Sequence, residues 1–85
     1  MASRVVWSQA AIQQLMAITR AEPRTAKRVS DAIFDYAREG RGNVKRLQGE
    51  PNSWPLRVGN LRVIFALSTD LMDITSIDDR KDAYR

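Results

Sequence analysis

Eighty-five residues support one domain with a small core, in a chain whose hydrophobic fraction of 44% is ordinary for a folded protein. There is no cysteine and no histidine, which removes disulfides, thiol nucleophiles and the commonest general base and metal ligand. Fourteen Lys and Arg against ten Asp and Glu leave a net charge of +4, a balance suited to a polyanion or an acidic protein partner. Lysine occurs only at Lys27, Lys45 and Lys81, so the positive charge is mostly guanidinium. The first residues carry no long apolar run of the kind a signal peptide needs. No stretch approaches the ~20 apolar residues of a membrane span. The expectation is a soluble, cytoplasmic protein that does not enter a membrane.

Ser3 to Trp7 reads as a first strand, rich in β-branched and aromatic residues. Ser8 is placed to cap a helix, along which Ile12, Leu15, Met16 and Thr19 form one predicted inward face. Pro23 suits the first turn of a second helix. That helix carries Val29, Ala32, Ile33, Tyr36 and Ala37 on one side and ends at Gly40. Beyond Gly42 the period changes to two. Val44 to Leu47 is a short strand and Gly49 to Asn52 a turn. Trp54 to Val58 and Leu61 to Leu67 are strands around Gly59-Asn60, a two-residue hairpin turn with glycine first. Leu71 to Ile77 is the last strand, and residues 80–85 form a polar tail. The order β-α-α-β-β-β(-β) describes a single α+β domain over residues 1–85, with a helical hairpin on one face of a mainly antiparallel sheet.

The turn fixes a register. With Gly59-Asn60 as the loop, Val58 opposes Leu61, Arg57 opposes Arg62, Leu56 opposes Val63 and Trp54 opposes Phe65. Counting the same way around Thr69-Asp70 sets Leu67 against Met72 and Phe65 against Ile74. Every pair on one face is then apolar, so that face lies under the helices. The other face brings Arg57 and Arg62 together, an arrangement that costs a few tenths to about 1 kcal/mol unless an anion joins them. Arg46 joins them if Leu47 points inward. The planar guanidinium fork suits a phosphate that gains charge in a transition state. The plainer alternative is a solvated face on which Glu50 and Asp73 supply counter-charges. Trp54, Trp7 and Tyr36 read as packing residues. Asp78-Asp79, without further carboxylate or histidine partners, makes a poor metal site.

The stretch Trp54-Pro55-Leu56-Arg57-Val58-Gly59-Asn60-Leu61-Arg62-Val63-Ile64-Phe65 resembles the signature hairpin of the RelE/ParE toxin superfamily. Upstream, Val44-Lys45-Arg46-Leu47-Gln48-Gly49 resembles its basic strand ending in Leu-x-Gly. Downstream, Ile77 to Arg85 resembles its closing Arg-x-x-x-Tyr segment. The resemblance spans the whole chain in the same element order. RelE-like members of that superfamily are ribosome-dependent, metal-free endoribonucleases. In them the ribose 2′-hydroxyl attacks the adjacent phosphate and leaves a 2′,3′-cyclic phosphate and a 5′-hydroxyl. Carried over, the resemblance implies catalytic roles for Arg57, Arg62, Arg80 and Tyr84, the tyrosine stacking on and orienting a base. It implies substrate contacts from Lys45, Arg46 and Lys81. No cofactor is expected. The implied partners are a cognate acidic antitoxin that wraps the domain, the ribosome and mRNA.

The chain departs from that pattern in three places. Asp79 stands where many relatives have histidine, Pro55 occupies a position that is basic in some, and Arg57 replaces a lysine that serves as general base. A guanidinium stays protonated in neutral water and accepts protons poorly, which leaves Asp79, or catalysis by positioning and charge alone, as the alternatives. Tyr84 either stacks on a base or packs on the domain. Two other functions share the fold or its basic face: a ParE-like inhibitor of DNA gyrase, and a non-catalytic module that docks an antitoxin or nucleic acid.

Overall fold

The computed structural model describes residues 3–44 and 52–79, with backbone only at positions 43 and 79. Strand β1 (Arg4–Trp7) leads into helices α1 (Gln9–Ala21) and α2 (Pro23–Glu39). Strands β2 (Asn43–Val44), β3 (Trp54–Val58), β4 (Leu61–Ser68) and β5 (Leu71–Asp79) follow. They form one sheet in the order β1-β5-β4-β3-β2, which is the expected α+β arrangement. Neighbours pair antiparallel except β1, which runs parallel to β5 with Arg4 beside Leu71 and Trp7 beside Ile74. Of the expected strand from Val44 to Leu47, the part from residue 45 onward lies outside the described residues.

The chain turns between the two helices because Pro23 takes the first position of α2, where its missing N–H has no helical partner to lose. Ala26, Val29, Ile33 and Ala37 repeat at helical spacing along α2 and are all buried. Gly40, in the left-handed conformation at φ 72°, closes the helix with its N–H donating to the Tyr36 carbonyl at 2.8 Å. Tyr36 packs its ring on Phe65 of β4, with centroids 5.1 Å apart and planes tilted by 56°.

Helix α1 is phased differently from the expectation. Ala11 is fully buried, Leu15 and Ile18 pack on the core, and Ile12 and Met16 are 45% and 55% exposed. The inward face is therefore turned by about one residue from the expected one, with Leu15 common to both. Alanines and aliphatics surround nearly the whole of α1, so apolar spacing alone does not select a face. The anchoring bonds do. Ser8 accepts from the Ala11 N–H at 3.0 Å and donates to the Thr75 carbonyl at 2.7 Å. Gln14 accepts from the Ile77 N–H at 2.6 Å, which satisfies a donor on the edge of β5 beyond the end of β1.

The β3–β4 register is the expected one: Val58 opposes Leu61, Arg57 opposes Arg62, Leu56 opposes Val63 and Trp54 opposes Phe65. Gly59 at φ 61° turns the corner and Asn60 keeps a negative φ, as a loop with glycine first requires. Before β3, Asn52 sits at φ 54° and pairs its amide with both backbone groups of Leu67, each bond 2.8 Å long. A side chain thus extends the ladder by one rung. The sheet gives the core Leu56, Val58, Leu61, Val63, Phe65, Met72 and Ile74, with Trp54 and Leu67 packed at its margin.

Strand β5 carries a feature that alternation does not reveal. Phe65 opposes Ile74, but Ile64 opposes Ser76, so Thr75 is an extra residue, a β-bulge. The Thr75 hydroxyl donates to the Ile64 carbonyl at 3.0 Å. Beyond the bulge the inside and outside positions exchange. Ile77, only 4% exposed, joins the core, and Asp78 comes to stand opposite Arg62.

Candidate functional site

The sheet face away from the helices carries Arg57 on β3, Arg62 on β4 and Asp78 on β5, side by side in one row. Adjacent strands lie about 4.8 Å apart, so two cations and one anion follow each other across roughly 10 Å. Arg57 is exposed, whereas Arg62 and Asp78 are half-buried. Pro55, Ile64 and Ser76 make the next row on the same face, apolar at its first two positions.

The Arg62 Nε is buried and has no hydrogen-bond partner among the described residues. An orphaned, desolvated donor costs about 1–3 kcal/mol, more when charged, and that cost disappears when an acceptor oxygen reaches it. The ion pairs among the described residues are Lys27–Asp31, Arg38–Asp35 and Arg41–Glu39, all on exposed side chains. None involves Arg57 or Arg62. Asp78, opposite Arg62 in register, is not within ion-pair distance of it. Asp73, a counter-charge in the plainer alternative, does not fill that part, because it stands between Ala66 and Val6, four positions along β4 from Arg62. At ~3.3 Å per residue that separation is about 13 Å. Glu50 lies outside the described residues.

Two residues come to this end of the sheet whose place beside the arginines the sequence did not indicate. Asp78 arrives through the bulge, since an unbroken count from the Thr69-Asp70 turn would set Ile77 opposite Arg62 instead. Arg28 arrives from α2, where its guanidinium lies against the β3–β4 turn: a Cβ added at Gly59 would be 4.0 Å from its Nη2. The hairpin end is thus flanked by arginines from both layers. Of the expected site residues, the structure brings Arg57 and Arg62 together; Lys45, Arg46, Arg80, Lys81 and Tyr84 lie outside the described residues. Among the described residues no three acidic side chains converge as metal ligands, and no helix is long and apolar enough to cross a membrane.

No protein-family model matches the chain, and no curated protein matches it by sequence. Solved structures do match its fold. The RelBE2 toxin–antitoxin complex of Mycobacterium tuberculosis superposes with a TM-score of 0.78 at 23% identity, covering 94% of this chain and 93% of that one. The RelB–RelE antitoxin–toxin complex of Methanococcus jannaschii gives 0.75 at 19% identity, covering 93% and 94%. The chromosomal ParDE system of P. aeruginosa gives 0.72 at 16% identity, covering 93% and 96%. The chain therefore has the fold of the RelE/ParE toxins over nearly its full length.

Proposed function

We propose that this protein is the toxin of a type II toxin–antitoxin pair, acting as a metal-free endoribonuclease on mRNA in the ribosome. The observation that carries this reading is the opposed pair Arg57 and Arg62 on the open sheet face, with the Arg62 Nε buried and unpartnered among the described residues. Such a pair is electrostatically unfavourable by itself and favourable around a phosphodiester. In this reading Arg62 stabilises the charge that builds on the phosphorane-like transition state, and Arg57 holds the phosphate from the adjacent strand. The resemblance assigns Arg80 to the leaving group, Tyr84 to a stacked base, and Lys45, Arg46 and Lys81 to neighbouring phosphates. Cleavage by this route needs geometry and charge more than a strong base, because a substrate held by the ribosome arrives already ordered.

The cognate partner is an acidic antitoxin whose segment wraps the domain and neutralises its arginines, in keeping with complexes solved for proteins of the same fold. The decisive experiment is cell-free translation with added protein, read by primer extension. Codon-positioned cuts that vanish with Arg62→Ala are expected; intact mRNA, or cuts indifferent to that substitution, refute the ribonuclease reading. The likeness to ParDE gives a second reading, inhibition of DNA gyrase. Stalled gyrase–DNA complexes with undamaged mRNA would establish it.

A further inference from the structure

We propose that Asp78 is the proton acceptor for the ribose 2′-hydroxyl at this face, an assignment that rests on the ribonuclease reading above. The chain has no histidine or cysteine, and a guanidinium does not accept protons at neutral pH. Of the described residues on this face, only a carboxylate can serve as general base. Among the described residues, Asp31, Asp35 and Glu39 are engaged with basic side chains, and Glu22 accepts from Thr25 where the helices join. Asp70 lies in the turn before β5, and Asp73 faces Ala66. Asp79 is in register with Leu61 rather than with an arginine. Among the described residues, Asp78 alone shares the row of Arg57 and Arg62.

Its setting suits the task. The carboxylate is half-buried, stands opposite a guanidinium and yet forms no ion pair with it. Directly opposed side chains have Cβ atoms about 4.5–5.5 Å apart, so reacting atoms held at Arg62 are within reach of Asp78. The bulge at Thr75 is what puts a carboxylate there, in place of Ile77. Bulges recur beside active sites because they re-aim a side chain, and this one is fixed on both sides by Ser8 and Ile64.

The reaction balances without a cofactor. The Asp78 carboxylate takes the 2′-hydroxyl proton as the O2′–P bond forms. The P–O5′ bond breaks, its electron pair passes to O5′, and O5′ takes a proton from water. Asp78 returns its proton to solvent, leaving a 2′,3′-cyclic phosphate and a 5′-hydroxyl.

A base and a residue that only positions Arg62 predict different outcomes, since loss of a positioning residue lowers binding and cleavage together. Asp78→Asn keeps the shape and removes a negative charge from beside the phosphodiester. As a base, Asp78 makes this variant cleave at least ~100-fold more slowly in cell-free translation. The same variant should bind ribosomes carrying a 2′-O-methyl mRNA as tightly as the parent or more tightly. Asp78→Glu, which retains a carboxylate, should recover at least ~10-fold over Asp78→Asn. Asp78→Ser makes no packing demand and carries the same test should the Asn chain not fold. Cleavage within about threefold of the parent overturns the assignment, and so does a loss of binding that matches the loss of cleavage. If Asp78→Asn cleaves normally while Arg62→Ala does not, the base assignment fails and the ribonuclease reading stands. If the parent protein cuts no mRNA, both fail.

Discussion

The hydroxyl of Ser8 bonds the carbonyl of Thr75 across 67 residues of sequence while its oxygen caps the first turn of α1. One side chain thereby ties a helix start to the bulge that sets the face of Asp78. Removing it loses an N-cap, worth about 1 kcal/mol, and an anchoring hydrogen bond of similar size. Ser8→Ala should lower stability by about 1–3 kcal/mol in urea unfolding, and Ser8→Thr should restore most of it. A midpoint unchanged by Ser8→Ala would show that the bulge holds its shape unaided.

Arg57 and Arg62 oppose each other at a position where like charges repel. Arg57→Thr removes the repulsion and supplies a residue that suits a strand. Stability should rise by a few tenths to about 1 kcal/mol, and by less in high salt, while mRNA cleavage falls. A variant that is both less stable and less active would mean that Arg57 serves the fold rather than a ligand.

Gly42 precedes β2 at φ 157°, where a Cβ would lie 2.7 Å from Leu56 Cδ1 and 3.4 Å from Tyr36 Cδ2. Leu56 is 1% exposed, so its δ-methyl cannot swing out into solvent. Gly42→Ala should cost about 1–3 kcal/mol by overpacking. Shortening the neighbour relieves the clash, so Gly42→Ala with Leu56→Val should cost less than the two changes summed. Additive costs in that double-mutant cycle would exclude this contact as the cause.

Arg28 reaches the β3–β4 turn from the helical layer, beside the row of Arg57 and Arg62. If RNA runs over this turn, Arg28 contacts a phosphate next to the scissile one. Each phosphate contact to a single strand adds about 0.7 to the slope of log affinity against log salt concentration. Arg28→Ala should reduce the slope by about that amount for a single-stranded RNA oligonucleotide, weakening all sequences alike. An unchanged slope would place the RNA path elsewhere.

Much of this arrangement was readable from residues alone, and what was not has physical causes. Strict alternation and a Gly-Asn turn fix the β3–β4 register, because a slip of one residue would turn every core side chain to solvent. Helix α1 offers no such penalty: with apolar residues on most sides, a rotation of one residue exchanges Ile12 and Met16 for Ala11 and Ile18 at little cost in buried carbon. The bulge at Thr75 has no signature in composition, so the partner of Arg62 was hidden even though the arginine itself was not. Arg28 reads as one more exposed charge on a helix, and only the folding of one layer over the other brings it to Gly59.

The parallel pairing of β1 with β5 has a consequence for biosynthesis. Strand β5 lies between β1 and β4, yet it is the last of the described strands to be translated. The helical hairpin and the β3–β4 ribbon contain mostly local contacts and need no later residues to begin forming. Closing β5 against β1 joins segments from opposite ends of the domain, the slow, non-local kind of step. A nascent chain that has not reached Asp78 lacks both the residues that seal the interior and the third charge of the row. Under the ribonuclease reading, a chain that stops short of β5 is without activity.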